Sequence, residues 1–152
     1  MGPEATLWSW LRRGLKPLGQ PHDVHRIETS TESGYPDVEG CINANTFLVE
    51  LKVARSIRKK DGSFSLDHYH AKQAYTLYRR WQAGGRSWLL VRYPGSDTTG
   101  RHFLVPGREA LIVHDERMKL TLGFMQAVSW PGFEDGLAKA DKLWQGISGP
   151  IV

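Results

Sequence analysis

The chain has 152 residues, of which 40% are hydrophobic, 11% aromatic and 24% charged. This composition fits one globular domain and excludes disordered and fibrous proteins. No apolar run approaches the roughly 20 residues that cross a bilayer, and the first residues lack the hydrophobic stretch of a secretion signal. The single cysteine, Cys41, excludes an internal disulfide and a multi-cysteine metal site. We therefore expect a soluble, cytoplasmic protein.

The first half of the chain predicts one helix followed by three strands. Residues 5–15 place apolar side chains at three- and four-residue steps, as an amphipathic helix does. Residues 24–29 fit a strand that ends in a polar turn. Two further extended runs, residues 37–43 and 46–53, are separated by Asn43-Ala44-Asn45, so they predict an antiparallel hairpin.

The clearest predicted helix covers residues 66–83, with Ser65 as its N-cap. Asp67 suits the positive end of the helix dipole, and Gly84-Gly85 ends the helix. Residues 87–93 then predict a largely buried strand. The order helix, strand, strand, strand, helix, strand predicts an α/β fold with a central mixed sheet flanked by helices.

The pattern is weaker in the last third of the chain. We expect strands over residues 102–105 and 110–114 and a final helix over residues 133–147. The core is assigned to about residues 4–93, and residues 94–152 are treated as a C-terminal extension. The whole chain is expected to form one domain.

Basic residues are concentrated in the middle of the chain. From Lys52 to Arg92 there are ten basic residues against two acidic ones, a net charge of +8. The other ten basic residues are outnumbered by 14 acidic ones, a net charge of −4. Such a divided charge indicates a polyanionic partner, although a solvated basic loop without that role is the alternative. The candidate DNA-binding residues are Arg55, Arg58, Lys59, Lys60 and Lys72.

The predicted hairpin brings two carboxylates together. Side chains alternate along a strand, so Glu50 and Lys52 share one face, and Asp37 opens the strand that pairs with theirs. Two converging carboxylates repel each other unless a cation lies between them, and oxygen ligands suit Mg²⁺ or Mn²⁺. Lys52 would point at whatever the metal holds, which provides the parts for phosphodiester hydrolysis. A half-exposed strand with a solvated Glu50 and Lys52 is the alternative.

A glutamine interrupts the apolar stripe of the predicted central helix. The stripe consists of Leu66, Tyr69, Gln73, Leu77 and Trp81. A buried amide without hydrogen bonds is costly, so the glutamine needs partners. Gln73 therefore either bonds to a nearby backbone group or contacts Lys52, the attacking water or the substrate backbone.

Taken together, these motifs resemble the PD-(D/E)xK nuclease superfamily. The shared pattern is Pro36-Asp37, Glu50-Leu51-Lys52 on the next strand, Gln73 on the helix, and Ala83-Gly84-Gly85 before a hydrophobic strand. Residues 33–40 make the match closer to the VRR-NUC-type branch and related small phage-encoded nucleases, which include Holliday-junction-resolvase-like proteins. The resemblance covers about residues 4–93, and it implies a restriction-endonuclease-like core.

The resemblance also implies a set of site residues. Asp37, Glu50 and the backbone carbonyl of Leu51 would bind Mg²⁺ or Mn²⁺, while Lys52 and Gln73 would be catalytic. These nucleases usually add an acidic residue from the N-terminal helix. The candidate for that catalytic and metal-binding position is Glu4, with Glu28 and Glu32 as competitors.

The function implied by the resemblance is that of a metal-dependent DNA endonuclease that is structure-selective on branched DNA such as a Holliday junction, with branched or duplex DNA as its partner. Two symmetric cuts in a junction suggest a homodimer. No membrane partner or small-molecule cofactor is expected, and the location is the cytoplasm, that of the host if the protein is phage-encoded. The alternative is a catalytically inert nucleic-acid-binding protein on a nuclease scaffold. A glycosidase would explain neither Lys52 nor the +8 segment.

Overall fold

The computed structural model contains four helices and six strands within its described residues. The described residues are 2–15, 21–27, 34–42, 44–94, 101–117, 119–130, 133 and 146–147. The helices are α1 (Pro3–Leu15), α2 (Ala71–Gln82), α3 (Ala110–Asp115) and α4 (Leu122–Val128), with a 3-10 turn at Gly107–Glu109. The strands are β1 (His22–Arg26), β2 (Val38–Ile42), β3 (Asn45–Arg55), β4 (Ser65–Leu66), β5 (Arg86–Tyr93) and β6 (Arg101–Pro106).

The strands form one mixed sheet in the order β1-β2-β3-β5-β6, and β4 pairs with the end of β3. Only β3 and β5 run parallel, whereas the other described strand pairs are antiparallel. Parallel neighbours need a crossover connection, and α2 lies in it. The predicted α/β fold with a central mixed sheet is confirmed, as is the hairpin of β2 and β3.

Helices cover both faces of the sheet. On one face, α1 contributes Leu7, Leu11 and Leu15 to a core that includes Phe47, Val49, Leu51 and Val53 of β3. On the other face, α2, α3 and α4 pack over Leu89 and Val91 of β5 and Phe103 and Val105 of β6. A strand that is buried on both faces reads as a nearly continuous apolar run. Any polar side chain in the middle of β3 is therefore enclosed by protein.

The core continues past residue 93. The strand predicted over residues 102–105 is present as β6, which pairs with β5 along its length. Ala110, Val113 and Met125 from the following helices are fully buried in the same cluster as α2. The segment predicted as an extension thus supplies one edge of the sheet and part of one layer.

The predicted helix over residues 66–83 is wrong at its N-terminal end. Ser65 is not an N-cap, because Ser65 and Leu66 form β4 and pair with Arg55 and Ala54 of β3. The chain then turns, with His68 in the left-handed region at φ 61°, and α2 starts only at Ala71. The end of β3 extends beyond the residues paired with β5, so its backbone is available to β4. This tertiary pairing outweighs the helical spacing of the apolar residues.

The strand predicted over residues 110–114 is also wrong, because these residues form α3. Ala110 and Val113 are buried while Ile112 is 48% exposed, which is helical rather than alternating burial. The strand predicted over residues 24–29 appears as β1, two residues earlier in the chain. Of the helix predicted over residues 133–147, only residues 133, 146 and 147 are described, and the last two are helical.

Within the described residues, no helix combines the length and the apolar character that crossing a membrane requires.

Candidate active site

The register of the hairpin places Asp37 beside Glu50. Val38 lies opposite Val49, so Asp37, one residue before β2, comes next to the middle of β3. Its Oδ2 accepts a hydrogen bond from the Leu51 N–H at 2.9 Å, and its backbone carbonyl accepts one from the Ile27 N–H at 2.6 Å. The Asp37 carboxylate thus accepts the hydrogen bond from the Leu51 N–H that a neighbouring strand would otherwise accept.

The same arrangement orients the carbonyl of Leu51. The N–H and C=O groups of one strand residue point to the same edge of the strand. Because the Leu51 N–H is bound by Asp37, the Leu51 carbonyl faces the same edge of β3, past the last residue that pairs with β2. One carboxylate and one backbone carbonyl therefore lie along the same edge of β3.

Glu50 is a buried acid with few interactions that would stabilise its charged form. Its side chain is 1% exposed, and neither carboxylate oxygen receives a well-formed hydrogen bond from the described residues. Burial and the neighbouring charge of Asp37 raise the pKa of Glu50 to about 9, although Lys52 opposes the shift. Without a cation, the folded protein therefore holds Glu50 protonated at neutral pH.

The pKa of Asp37 is raised as well, again chiefly by burial. The hydrogen bond from Leu51 and the charge of Lys52 act in the opposite direction. Two carboxyl groups in one enclosed place, each with its charged form disfavoured, provide oxygen ligands whose repulsion a divalent cation would remove. The donor set of this pocket therefore fits a hard cation such as Mg²⁺ or Mn²⁺.

Lys52 is almost completely buried, with 3% of its side chain exposed. Its Nζ donates a hydrogen bond to the backbone carbonyl of His68 at 3.0 Å. It also lies 3.5 Å from Glu4 Oε1 and 3.6 Å from Glu50 Oε1. A lysine enclosed in this way is fixed in position by three oxygen atoms, which rules out the half-exposed strand with a solvated Glu50 and Lys52.

Glu4, on the first turn of α1, reaches the site through Lys52. Its side chain is 38% exposed, and its charge contributes to the raised pKa values of both Asp37 and Glu50. Among the described residues, no group of three or more His, Cys, Asp or Glu side chains is arranged to hold a metal ion. The structure thus associates Glu4 with the lysine, while the competing Glu28 and Glu32 lie outside the described residues.

Gln73 lies at the start of α2 and is bound to its own helix. Its Oε1 accepts a hydrogen bond from the backbone N–H of His70, the N-cap residue, at 2.8 Å. This is the local backbone partner considered as one alternative from the sequence. The predicted stripe is incomplete, because Leu66 and Tyr69 precede the helix.

The predicted DNA-binding residues lie on two surfaces. Arg55, Arg58, Lys59 and Lys60 are exposed at the end of β3 and in the turn that follows it, and Arg55 lies 3.6 Å from Asp67. Lys72 is exposed on α2. Lys72 therefore lies on a helix, whereas the other four lie at the end of a strand and in the turn after it.

Two contributors to the site were missed in the sequence. The His68 carbonyl holds Lys52, and the Ile27 N–H holds the backbone of Asp37. Both act through backbone atoms, which leave no residue-type signature. The left-handed conformation of His68 is unusual for a residue other than glycine, and only a turn between β4 and α2 could have indicated it.

Comparisons with known proteins give structural similarity only. No family model matches the sequence, and no curated protein matches it. Among solved structures, the chain is similar to Hjc, a Holliday junction resolvase from the archaeal hyperthermophile Archaeoglobus fulgidus. The two share 15% sequence identity with a TM-score of 0.51, over 93% of this chain and 96% of that one.

The chain has the restriction-endonuclease-like fold. The similarity to Hjc extends over nearly the whole of both chains, so it includes β6 and the helices after it as well as residues 4–93. At 15% identity this similarity establishes the fold alone. It gives no support to the VRR-NUC-type branch in particular.

Proposed function

We propose that this protein is a metal-dependent DNA endonuclease of the PD-(D/E)xK type, selective for branched DNA such as a Holliday junction. The observation that carries this proposal is the pair of carboxyl groups of the half-buried Asp37 and the buried Glu50, next to the buried Lys52. Burying three ionisable groups together is costly, and a binding protein has no use for carboxylates near phosphate. The fold shared with a Holliday junction resolvase supports the choice of substrate.

Asp37, Glu50 and the Leu51 carbonyl would hold the Mg²⁺ or Mn²⁺ ion. When bound, the ion supplies Lewis acidity toward the scissile phosphate and the attacking water. Asp37 is kept in place by the Leu51 and Ile27 backbone groups, so it enters the reaction already oriented. Such preorganisation avoids the cost of arranging the ligands during each turnover.

Lys52 would place its ammonium group next to the substrate phosphate and stabilise the negative charge that develops there. Its contacts with the His68 carbonyl and with Glu4 fix the direction of its side chain. Glu4 is proposed to position Lys52. Gln73 is proposed to set the start of α2, and hence the turn that presents the His68 carbonyl.

Arg55, Arg58, Lys59 and Lys60 are proposed to follow the DNA backbone next to the site, since the turn that carries them follows the catalytic strand directly.

A homodimer is proposed because a four-way junction offers two equivalent strands to cut. Light scattering should give twice the chain mass for the protein alone and the mass of two chains plus the DNA for its complex with a junction, and a strict monomer in both conditions would contradict the dimer.

The test is cleavage of a labelled panel of single strand, duplex, flap and four-way junction with Mg²⁺, Mn²⁺ or EDTA. The wild type should cut at least one branched substrate in a metal-dependent manner, and Lys52→Ala should lose this activity. Asp115→Asn, which changes an exposed acid on α3, serves as a matched control. Binding without cleavage on every substrate and metal, unchanged by Lys52→Ala, would instead indicate the inert DNA-binding protein.

A further inference from the structure

A groove of about 930 Å³ runs along the exposed side of α2. Its lining includes Lys72, Tyr75, Thr76, Arg79 and Arg80 and ends at the Gly84-Gly85 turn. The proposed cation site lies outside this groove, on β2 and β3. The groove is therefore a separate surface that the proposed chemistry does not use.

The groove is positively charged along its length. Helix α2 contains no acidic residue, and Lys72, Arg79 and Arg80 are all exposed. From Lys72 to Arg80 the helix advances about 12 Å, at about 1.5 Å per residue. This length covers about three and a half phosphate spacings of one DNA strand, at about 3.4 Å along the axis for each spacing. The charge pattern indicates an extended polyanion rather than a single anion.

Aromatic side chains lie between these cations. Tyr75 lines the groove and is 53% exposed, one of the most exposed large hydrophobic residues described. It packs edge-to-face against Tyr78, with 6.3 Å between the ring centroids. An exposed tyrosine that a second ring supports offers a flat surface for stacking an unpaired base. An exposed aromatic ring flanked by cations is typical of single-strand binding.

The groove is connected to the site through residues 34–37. Gly34 lies against Lys72 so closely that a Cβ atom on it would come within 2.9 Å of the Lys72 Cβ. Tyr35 is near enough to Arg80 for the arginine to influence its pKa, which burial raises overall. Asp37, two residues later, belongs to the site. A strand in the groove would thus lead directly toward Asp37.

We propose that the α2 groove binds an unpaired segment of DNA strand adjoining the scissile phosphate. Lys72 contacts a phosphate at one end of this segment, Arg79 and Arg80 contact phosphates at its other end, and Tyr75 stacks on a base between them. This inference rests on the proposed nuclease function for the position of the cut, and it adds that the branched DNA carries unpaired nucleotides next to the cut, as a flap does and a fully paired four-way junction does not. A base that is paired within a duplex cannot stack on Tyr75, so this exposed ring favours the binding of a single strand.

Binding can be measured without cleavage. Fluorescence anisotropy in EDTA compares a labelled 12-nucleotide oligothymidylate with a hairpin duplex of equal phosphate number. We expect Tyr75→Ala to weaken oligothymidylate binding about 10-fold and Tyr75→Phe to retain it, since stacking needs only the ring. Arg79→Ser should lower the slope of log affinity against log salt by about 0.7, as expected for one lost phosphate contact on a single strand.

Two control variants match these changes on other helices. Ile112→Ala removes a 48% exposed apolar side chain on α3, and Arg13→Ser removes an exposed cation on α1. Neither should alter oligothymidylate affinity. Photocrosslinking with 5-iodouracil, followed by mass spectrometry, should recover Tyr75 as a crosslinked residue. Crosslinks confined to the turn after β3 would overturn the proposal.

Failure of this inference can be distinguished from failure of the nuclease function. If branched DNA is cut but Tyr75→Ala and Arg79→Ser bind oligothymidylate like wild type, the groove proposal is wrong and the nuclease stands. If nothing is cut but the groove variants lose oligothymidylate binding, the nuclease proposal is wrong, and the groove remains a single-strand binding site without a cut beside it. Conversion of a dimer to a monomer by Tyr75→Ala, with oligothymidylate affinity unchanged, would assign the groove to a second copy of the chain and overturn the proposal.

Discussion

The cluster around Glu50 and the basic surfaces beside it handle charge in different ways. Glu50 and Lys52 are 1% and 3% exposed, and their backbone pairs with β5 on one side, while the Asp37 carboxylate binds the neighbouring Leu51 N–H on the other. Arg58, Lys59 and Lys60 lie in an exposed turn. The Arg55 Nε lies 3.6 Å from Asp67 Oδ2, and both side chains are more than 40% exposed.

This difference in burial decides what each region can do. Charges enclosed by protein interact strongly and respond little to salt, so a small displacement changes the chemistry. Exposed charges are screened over about 8–10 Å, so they contribute attraction that is nearly independent of detailed geometry. Changes in the cluster should therefore affect the rate of cleavage, whereas changes on the surface should affect affinity and its salt dependence.

The largest effect is expected from Asp37. Asp37→Asn removes the charge while leaving an oxygen to accept the Leu51 N–H, so cleavage should fall at least about 100-fold without loss of stability. Asp37→Ala should lose the same activity and, in addition, about 1–3 kcal/mol of stability, because the Leu51 N–H is left unpaired. Cleavage kinetics in Mg²⁺ and urea denaturation measure the two effects. If Asp37→Asn keeps a tenth of the activity, the assignment of Asp37 as a ligand is wrong.

The next effect concerns the stability of the metal-free protein against pH. The pKa of Glu50 is about 9 in the folded chain and near 4.5 in the unfolded chain. Unfolding therefore releases one proton between these values, and stability should fall as pH rises from about 4.5 to 9. Thermal unfolding in EDTA from pH 5 to 9 measures this decline.

Glu50→Gln provides the control, because an uncharged amide cannot release the proton and most of the pH dependence should disappear. Adding Mn²⁺ should raise the unfolding temperature of the wild type most at high pH, where the proton and the cation compete least. A wild-type profile that is flat in EDTA would show that Glu50 ionises normally.

The features that could be predicted from the sequence are those that depend on the pattern of residues close to one another along the chain. The alternation of β3 and the turn before it fix the register of the hairpin, so Asp37 and Glu50 could be placed together without a structure. Glu4 could be proposed because the family resemblance implies an acidic residue from the N-terminal helix, and the first helix has one in its first turn. The parallel pairing of β3 with β5 follows from the helix between them.

The features that could not be predicted depend on tertiary partners. Leu66 and Tyr69 have spacing compatible with a helix, and the free backbone at the end of β3 is what draws Ser65 and Leu66 into β4. The His68 carbonyl became part of the site through the turn that β4 creates. The 110–114 segment has apolar residues that fit strand or helix, and its contact with α2 selects the helix.

A smaller effect is expected from Glu4. Its substitution distinguishes two possible roles, holding Lys52 in place or binding the metal ion. If Glu4 mainly holds Lys52, Glu4→Gln should slow cleavage about 3- to 10-fold and leave the Mn²⁺ concentration for half-maximal activity unchanged, because an amide still accepts a hydrogen bond. If Glu4 is a ligand, that concentration should rise instead. Metal titrations of cleavage distinguish these results. Glu116→Gln, an exposed acid after α3, is the matched control.

The smallest effect is expected from the exposed turn after β3. Lys59→Ala and Lys60→Ala should each weaken duplex binding only a few-fold at moderate salt and lower the slope of log affinity against log salt by about 0.9, if each lysine contacts one phosphate. The cleavage rate at saturating DNA should stay unchanged, in contrast with Lys52→Ala. Anisotropy at several salt concentrations and single-turnover cleavage test this, with Arg13→Ala as the control. Unchanged salt slopes would mean that the turn does not touch DNA, and that the positive charge used for binding lies on α2.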